Sequence, residues 1–460
     1  MNGTKYKKIS QFEIIALNLK IVKIFKMKKE SVFIETYGCQ MNEYDSDRII
    51  NALNATPTNM PENADIIIIN TCAIREKADH KAVSAIGRYN KLKKNKPELI
   101  VGISGCVAQL YGKKLLKDMP YLDFVLGPRG IPQIPKIIKD IRSENNHRPI
   151  ETSMDVQDVF DITPYHKKGK VAGFVSIQQG CNKKCAYCIV PTTRGSEINR
   201  PINEIISESK YLVELGAKEI TYIGQTVNSW KHNKLRFPSL LDNLQEIDGL
   251  ERIRFTTSFP KDITSNMIYS MKKNSKVCKQ LHLPVQSGSN KVLREMSRTY
   301  SIEWYKQRIE MLRDVIPDIA LSTDIIIGFG SESEKDFQET MDLINLIEFD
   351  TVYSFKYSVR PGTPGEKMEY HVPDDKASER LSILQERQKE ITFKKNSDNL
   401  GKITEVLIEG YSKQNKNDLY GRTTHNKVVN VRNLDDSNIG KLINVKITEA
   451  TQNSLIGEQA

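Results

Sequence analysis

Three strand-like segments that each end in a cysteine constrain the N-terminal part of this chain. The segments VFIETYGC, DIIIINTC and LIVGISGC end at Cys39, Cys72 and Cys106. Strand-like runs at 32–36, 65–70, 99–104 and 122–126 alternate with helix-like stretches that include 45–53 and 76–92. This alternation predicts a parallel sheet with helices on its faces. Because ligands gather outside the carboxyl ends of such strands, we expect the three cysteines to meet at one edge.

A second cysteine set is compact in sequence. Cys181, Cys185 and Cys188 lie within QQGCNKKCAYCIVPTTRG. A fully capped 4Fe-4S cluster takes four thiolates, so three cysteines leave one iron open for chemistry. Zinc is the alternative because soft thiolates also select zinc, but structural zinc sites use four ligands and no fourth Cys or His follows here. The remaining alternative for either set is a group of buried cysteines that pack as small hydrophobes.

The central part of the chain shows six further strand-like runs separated by helical stretches. They lie at 172–178, 219–223, 252–257, 280–285, 319–327 and 351–357. Six such units predict an incomplete (βα)6 barrel with its site at the carboxyl face of the strands. A helix is expected after Asp375, with apolar residues at Ala377, Leu381, Leu384 and Ile391 facing the barrel. The chain is therefore predicted to be an α/β protein.

The C-terminal segment and the composition complete the organisation. Residues 400–460 contain short strand-like runs with turn residues between them, a pattern typical of a small β-barrel. The net charge is +11, but residues 1–26 hold six lysines and one acid, so the basic character favours a polyanionic partner only moderately. We interpret residues 1–26 as a non-native extension, because Met27 directly precedes the first strand. Seven cysteines without a signal peptide or an apolar membrane span predict a cytoplasmic protein.

These motifs together resemble the tRNA methylthiotransferases of the radical S-adenosylmethionine superfamily. The resemblance covers roughly residues 31–460 and rests on TYGCQMNEYDSD, INTCAIREKA, SGCVAQ, GCNKKCAYCIVPTTRG, GQTVN, RFTTS, LPVQSGS and RPGTPG. It implies an extension at 1–28, an N-terminal methylthiotransferase domain at 29–145, a linker at 146–168, a radical-SAM domain at 169–396 and a TRAM-like β-barrel at 397–460.

The resemblance also implies two 4Fe-4S clusters and S-adenosylmethionine as cofactors. Cys181, Cys185 and Cys188 would hold the cluster that binds S-adenosylmethionine and generates a radical. Cys39, Cys72 and Cys106 would hold an auxiliary cluster that carries the sulfur, while a second S-adenosylmethionine supplies the methyl group. The expected cofactor contacts are Tyr187, Gln225 and Asp324, and the expected substrate contacts are Asn228 and Arg194. No catalytic side chain is predicted.

The implied substrate is N6-isopentenyladenosine next to the anticodon of tRNA, modified at C2. The partners implied are the tRNA anticodon stem-loop and a flavodoxin-type electron donor, with no membrane and a monomeric chain. Alternative substrates are threonylcarbamoyl-adenosine in tRNA and a ribosomal-protein aspartate; an alternative of another class is a non-catalytic iron–sulfur redox sensor that binds RNA. The chain departs from the family text at Thr192, Phe259 and Gly330–Ser331. These positions put substrate detail in question but touch no predicted cluster ligand.

Overall fold

The computed structural model of the 460-residue chain describes residues 29–73, 87–143, 148–155, 159–413 and 415–460. The predicted extension at 1–28 lies outside these ranges. So does most of the helix predicted at 76–92, of which residues 87–92 are described and helical. No helix within the described ranges is long and apolar enough to cross a membrane.

The N-terminal domain is built on a six-stranded parallel sheet. Its strands are β1 (Ser31–Thr36), β2 (Thr56–Pro57), β3 (Ile66–Thr71), β4 (Ile100–Gly105), β5 (Phe124–Leu126) and β6 (Ile150–Glu151). They are ordered β2-β1-β3-β4-β5-β6, and every neighbouring pair is parallel. All of β3 and β4 is buried, as expected for strands covered on both faces. The four predicted strands are confirmed; β2 and β6 are too short to show a periodic pattern.

Helices cover both faces of this sheet. They are Gln40–Ala52, Cys106–Tyr111, Lys113–Asp118, Ile134–Ser143 and the helical residues 87–95. The first of them begins five residues before the predicted start at Asp45, and the reason is visible in its packing. Met41 and Tyr44 lie in a small apolar cluster with Ile223 of the central domain. The first turn of this helix is therefore stabilised by apolar contact with the central domain, which the sequence pattern of the N-terminal domain does not show.

The central domain is an open barrel made of two parallel sheets. The strands of this domain are β7 (Ala172–Ser176), β8 (Gln178–Gln179), β9 (Ile198–Asn199), β10 (Glu219–Ile223), β11 (Lys231–His232), β12 (Leu235–Arg236), β13 (Arg252–Phe255), β14 (Gln280–His282), β15 (Ala320–Ile327) and β16 (Thr351–Lys356). Four of them form two short antiparallel pairs, β8 with β9 and β11 with β12, and the other six form the barrel sheets. The two sheets are ordered β7-β10-β13 and β14-β15-β16, and an isolated parallel bridge between Ile253 and Val277 joins them. The predicted incomplete barrel of six strands is confirmed.

Helices surround this barrel and share one apolar core with its strands. They are Val190–Arg194, Ile202–Glu214, Phe237–Leu244, Ser265–Lys273, Asn290–Glu295, Ile302–Val315, Glu334–Ile347 and Asp374–Ser397. The core contains Ile220, Leu281 and Leu321 from three of the strands. In the last helix, Leu384 and Ile391 join that core and Leu381 packs against it, so the predicted apolar face is confirmed.

A closed five-stranded barrel forms the C-terminal domain. Its strands are β17 (Ile403–Tyr411), β18 (Leu419–Thr423), β19 (Val428–Val431), β20 (Leu442–Ala450) and β21 (Leu455–Gln459), ordered β17-β18-β19-β21-β20. Two arginines of β13 attach it to the central domain. Arg252 donates to the carbonyl of Arg422 at 2.5 Å, and Arg254 donates to the carbonyl of Thr423 at 2.6 Å. The small barrel thus docks on strand β13, and also on the last helix of the central domain, where Asn396 donates to the carbonyl of Thr451 at 2.9 Å.

Candidate functional site

The topology brings the first cysteine set to one edge of the N-terminal sheet. Strands β1, β3 and β4 are direct neighbours, with Thr36 opposite Asn70 and Thr71 opposite Gly105. Cys72 and Cys106 directly follow β3 and β4, and Cys39 lies three residues beyond β1. Cys39 also precedes the helix Gln40–Ala52, and Cys106 begins its own helix. All three cysteines therefore lie at the carboxyl ends of neighbouring strands, as the sequence predicts, and Cys39 and Cys106 also lie at the starts of helices.

Two glycines permit these sharp turns. Gly38 has φ +130° and Gly105 has φ +93°, backbone conformations that L side chains rarely adopt. A Cβ on Gly38 would overlap the Cβ of Cys72, and a Cβ on Gly105 would stand 2.5 Å from the side-chain oxygen of Asn70. The turns are tight because the strand ends and the cysteines crowd against one another. Glycine is required at both positions for conformation and for space.

Two buried asparagines fix the helix after Cys39 against the strand ends. The Asn42 amide donates to the carbonyl of Thr71 at 2.8 Å. The Asn70 amide donates to the carbonyl of Asn42 at 2.8 Å and to the hydroxyl of Ser46 at 2.9 Å. These bonds tie β3 to the helix on both sides of the cysteine edge. The asparagines therefore position the first cysteine set without contributing a ligand.

The thiols of this set interact with one another and with a cation. A hydrogen bond with Cys72 contributes most to lowering the pKa of Cys39 to about 6, and the Arg194 guanidinium lowers it further. Burial raises the pKa of Cys106, and the charge of Arg194 opposes that increase. Thiolates are the form in which cysteine binds metal. The arrangement therefore favours ligand formation at Cys39 before any metal arrives.

The second cysteine set lies on the loop that follows β7 and β8. Gly180, with φ +79°, turns the chain into Cys181, whose sulfur accepts the backbone N–H of Lys183 at 3.4 Å. The backbone N–H of Cys188 donates to the carbonyl of Cys185 at 3.1 Å and closes the loop. Burial raises the pKa of Cys188 to about 12 and raises that of Cys181. A coordinated metal reverses this effect, since a ligating thiol is deprotonated outright.

Both sets fit a cluster better than a single metal ion. In a cubane each thiolate binds a different iron, so its ligands line a pocket instead of meeting at one point. Three soft sulfur donors with no fourth protein ligand match that requirement. This donor set is suited to an iron–sulfur cluster, whereas a structural zinc site would take four ligands.

One short helix connects the two sets. The helix Val190–Arg194 begins two residues after Cys188. Ile189, just before it, packs into the N-terminal core beside Cys106. Arg194, in its last turn, donates to Asp45 at 2.8 Å and to Asn42 at 3.2 Å, both in the helix that follows Cys39. The chain thus runs from one cysteine set directly to the other.

Arg194 is the clearest departure from the sequence expectation. We expected it to contact substrate, but it is only 2% exposed and is paired with Asp45 between the two domains. Sequence alone marked it as a basic residue after a loop; the docking of the N-terminal domain is what buries it.

The other predicted contacts lie near the second cysteine set, in the segment that follows β10, or within strand β15. The side-chain oxygen of Gln225 accepts the backbone N–H of Gly180 at 2.6 Å, directly before Cys181. Both ends of the Asn228 amide bind the backbone of Phe259, at 2.9 Å and 2.8 Å. Asp324, within β15, lies 3.5 Å from His282. Gln225 therefore supports the cysteine loop, and Asn228 closes the barrel rather than pointing a free amide at a substrate.

Tyr187 lies beside a residue that sequence reasoning missed. Its ring packs edge-on against Phe329, with 6.1 Å between centroids. The missed residue is Arg298, which is buried and donates to the sulfur of Cys185 at 3.2 Å and to the Tyr187 hydroxyl at 3.5 Å. Arg298 follows a helix 110 residues or more from the cysteines, so nothing in the local pattern linked it to them.

The positions at which the chain departs from the usual family sequence, Thr192, Phe259 and Gly330–Ser331, differ in their surroundings. Phe259 packs against two cations, with the Arg298 guanidinium 4.5 Å and the Lys183 ammonium 4.4 Å from its ring centroid. Gly330 adopts φ +57°, and the Ser331 hydroxyl donates to Glu295 at 2.8 Å. Thr192 is exposed. Phe259 is thereby linked to the second cysteine set, because Arg298 also bonds to the sulfur of Cys185.

Comparison with known families agrees with this three-part architecture. The uncharacterized protein family UPF0004 matches residues 31–127, the radical SAM superfamily matches 175–344, and the TRAM domain matches 398–459. Among solved structures, the radical S-adenosylmethionine methyltransferase TsrM from Kitasatospora setae is similar in fold, with a TM-score of 0.55, 12% identity and coverage of 73% of this chain and 75% of that chain. The fold and its compact cysteine set define a radical S-adenosylmethionine protein.

Curated relatives narrow the class further. A tRNA-2-methylthio-N(6)-dimethylallyladenosine synthase from Thermodesulfovibrio yellowstonii is 42% identical over 435 residues, which are 94% of this chain and 99% of that protein. Relatives of the same name from Sulfurihydrogenibium sp. and Caldicellulosiruptor saccharolyticus are 43% and 44% identical, with coverage of 92% and 94% of this chain and 98% and 93% of theirs. The chain belongs to this family of radical-SAM tRNA methylthiotransferases.

Proposed function

We propose that this protein transfers a methylthio group to C2 of N6-isopentenyladenosine next to the anticodon of tRNA. The observation that carries the proposal is the pair of three-cysteine sets, joined by the helix Val190–Arg194 at the interface of two domains. Family membership supports the same reaction, since the relatives are named for the 2-methylthio product of an N6-dimethylallyl, or isopentenyl, adenosine. An RNA-binding redox sensor would need no barrel site beside a cysteine set.

We assign a 4Fe-4S cluster to each cysteine set. Cys181, Cys185 and Cys188 would hold the cluster whose open iron binds S-adenosylmethionine, and Cys39, Cys72 and Cys106 would hold the auxiliary cluster. When bound, these groups and two molecules of S-adenosylmethionine would supply the radical, the sulfur and the methyl group. The protein itself supplies ligands, orientation and a buried surrounding.

The side chains near the second set have positioning roles in this proposal. Arg298 orients Cys185 through the 3.2 Å bond to its sulfur, and Gln225 holds the backbone that leads into Cys181. Tyr187 and Asp324 are the proposed contacts to S-adenosylmethionine, because Tyr187 lies within the cysteine loop and Asp324 lies on a barrel strand. Arg194 and Asn228 are not carried forward as substrate contacts, because their side chains are bound within the protein.

The proposed partners are the anticodon stem-loop of tRNA and a flavodoxin-type electron donor. The target base has to leave its stack to reach a site inside the protein, as is common for enzymes that act on bases. The closed five-stranded barrel resembles modules that bind nucleic acid in other proteins. We further propose that the protein acts in the cytoplasm as a monomer.

The reaction is tested with reconstituted protein under anaerobic conditions. The substrates are tRNA that contains N6-isopentenyladenosine, S-adenosylmethionine and dithionite, and the digested nucleosides are analysed by mass spectrometry. We expect 2-methylthio-N6-isopentenyladenosine from the parent and none from the C181A/C185A/C188A variant. The same assay with threonylcarbamoyl-adenosine tRNA tests the alternative substrate. Modification of that tRNA alone would contradict the proposed specificity.

A further inference from the structure

The Arg194 guanidinium is a buried cation at the first cysteine set, and its main-chain position is tightly held. Arg129 of the N-terminal domain donates to the carbonyl of Arg194 at 3.0 Å and to the carbonyl of Ser196 at 2.7 Å. Gly195 between them has φ +76°, and a Cβ there would stand 2.6 Å from the Arg129 guanidinium carbon. Each domain therefore donates an arginine to the other: Arg129 bonds to the central domain, and Arg194 bonds to the N-terminal domain. These bonds hold the Arg194 backbone in one position.

Part of the Arg194 hydrogen-bonding capacity is unused. Its Nη2 donates to Asp45 and Asn42, whereas its Nη1 is buried and has no hydrogen-bond partner within the described ranges. A buried unsatisfied donor is costly, and more so when the donor is charged. The Asn42 side-chain oxygen accepts both Arg194 Nη2 at 3.2 Å and the Cys39 thiol at 3.5 Å, so the guanidinium lies beside the cysteine edge. An anionic acceptor at that edge would accept the hydrogen bond that Nη1 leaves unused.

We propose that Arg194 is a positioning residue of the auxiliary site, whose free Nη1 donates to a sulfur of the cluster held by Cys39, Cys72 and Cys106. This inference rests on the proposed function, because it requires a cluster at that set. A cluster bound by three thiolates and buried between domains is anionic, and a cation beside it offsets the cost of burying that charge. Hydrogen bonds to sulfur also help to set the reduction potential of such clusters.

The sign of the expected effect follows from charge. Reduction adds an electron and makes the cluster more negative, so a neighbouring cation stabilises the reduced form and raises the reduction potential. Removing the Arg194 charge lowers that potential. Arg194 comes from the loop of the other cysteine set, so this contact also links the redox state of the auxiliary site to the docking of the two domains.

The test is a redox titration followed by electron paramagnetic resonance on the full chain. The C181A/C185A/C188A background isolates the auxiliary cluster, and Arg194→Gln, Arg194→Lys and Arg200→Gln are compared in it. Arg200 is the matched control: it is 5% exposed, is paired with Glu208 and donates to Tyr44 at 3.4 Å across the same domain boundary. Its hydrogen bonds go to Tyr44, Ser176, Glu204 and Glu208, whereas those of Arg194 go to Asn42 and Asp45 in the helix that follows Cys39.

For Arg194→Gln we expect the equilibrium constant for reduction of the auxiliary cluster to fall at least tenfold, which lowers the reduction potential by about 59 mV for one electron. Arg194→Lys keeps the charge and should recover much of this decrease in potential. Arg200→Gln should leave the potential unchanged. If Arg194→Gln holds too little iron for a titration, iron content becomes the readout, and recovery in Arg194→Lys is required. An unchanged potential in Arg194→Gln, or equal loss of iron in the Lys and Gln variants, would overturn the inference. A background protein that binds no iron would instead overturn the proposed function.

Discussion

Replacing Asn228 with alanine removes two buried hydrogen bonds that hold the barrel loop at Phe259. The Asn228 amide donates to the carbonyl of Phe259 at 2.9 Å and accepts its backbone N–H at 2.8 Å. The side chain is 7% exposed, so water does not freely replace the lost partner. Phe259 in turn packs on Arg298, which bonds to Cys185. The variant therefore tests whether Asn228 is structural, as its contacts indicate.

The size of the effect follows from the groups left unpaired. A buried backbone group without a partner costs about 1–3 kcal/mol, so two such groups give roughly 2–6 kcal/mol. A water that enters the vacated space recovers part of this cost, and we expect a loss of about 2–4 kcal/mol in the free energy of unfolding. For a domain of this size, that corresponds to a decrease in Tm of about 4–16 °C.

The assay is differential scanning calorimetry of the metal-free protein, with Asn243→Ala as the matched control. Asn243 also donates to a backbone carbonyl, that of Ser239 at 2.7 Å, but it is exposed. Its replacement should cost less than about 0.5 kcal/mol, as is usual at surface positions. A substrate contact would show the opposite pattern: an unchanged Tm together with a raised KM for tRNA. That result would refute the structural assignment of Asn228.

Three further predictions concern the cysteine sites. Gly38→Ala should reduce the iron content of the auxiliary site, because its Cβ would overlap Cys72. Gly112→Ala is the control for backbone strain, since Gly112 has φ +40° and nothing lies within 4 Å of an added Cβ. Equal loss of iron in both variants would contradict the steric argument. In the metal-free protein at pH 7, iodoacetamide should label exposed Cys39 before Cys188, because their pKa values are about 6 and about 12. Peptide mass spectrometry measures the order of labelling, and the reverse order would contradict this prediction. Arg298→Met should speed the loss of iron from the second set to a chelator, since it removes the 3.2 Å bond to Cys185, while Arg308→Met, near Trp304, should not.

Strand alternation was enough to predict the sheets and the location of both cysteine sets. The runs before Cys39, Cys72 and Cys106 are apolar, and parallel strands bring their carboxyl ends together whatever the details of packing. The barrel strands followed for the same reason. The domain boundaries at 145, 168 and 396 stay predictions, since nothing in the structure sets them independently.

The roles of individual polar side chains were less accessible from sequence. Arg194 follows a loop and is basic, features equally typical of a phosphate contact and of a buried ion pair; its contact with Asp45, 149 residues away, decides between them. Arg298 carries no local signal at all, because its partner Cys185 lies 113 residues away. Periodicity reports which face of an element is buried. It does not report which distant element arrives there.

The central claim is that two separate cysteine sets hold two clusters. Anaerobic analysis of iron and acid-labile sulfide in reconstituted protein tests it, with the C39A/C72A/C106A variant beside the parent. We predict about eight irons per chain in the parent and about four in the variant, because each 4Fe-4S cluster accounts for four. About four irons in both proteins would contradict the account, since the first cysteine set would then hold no cluster.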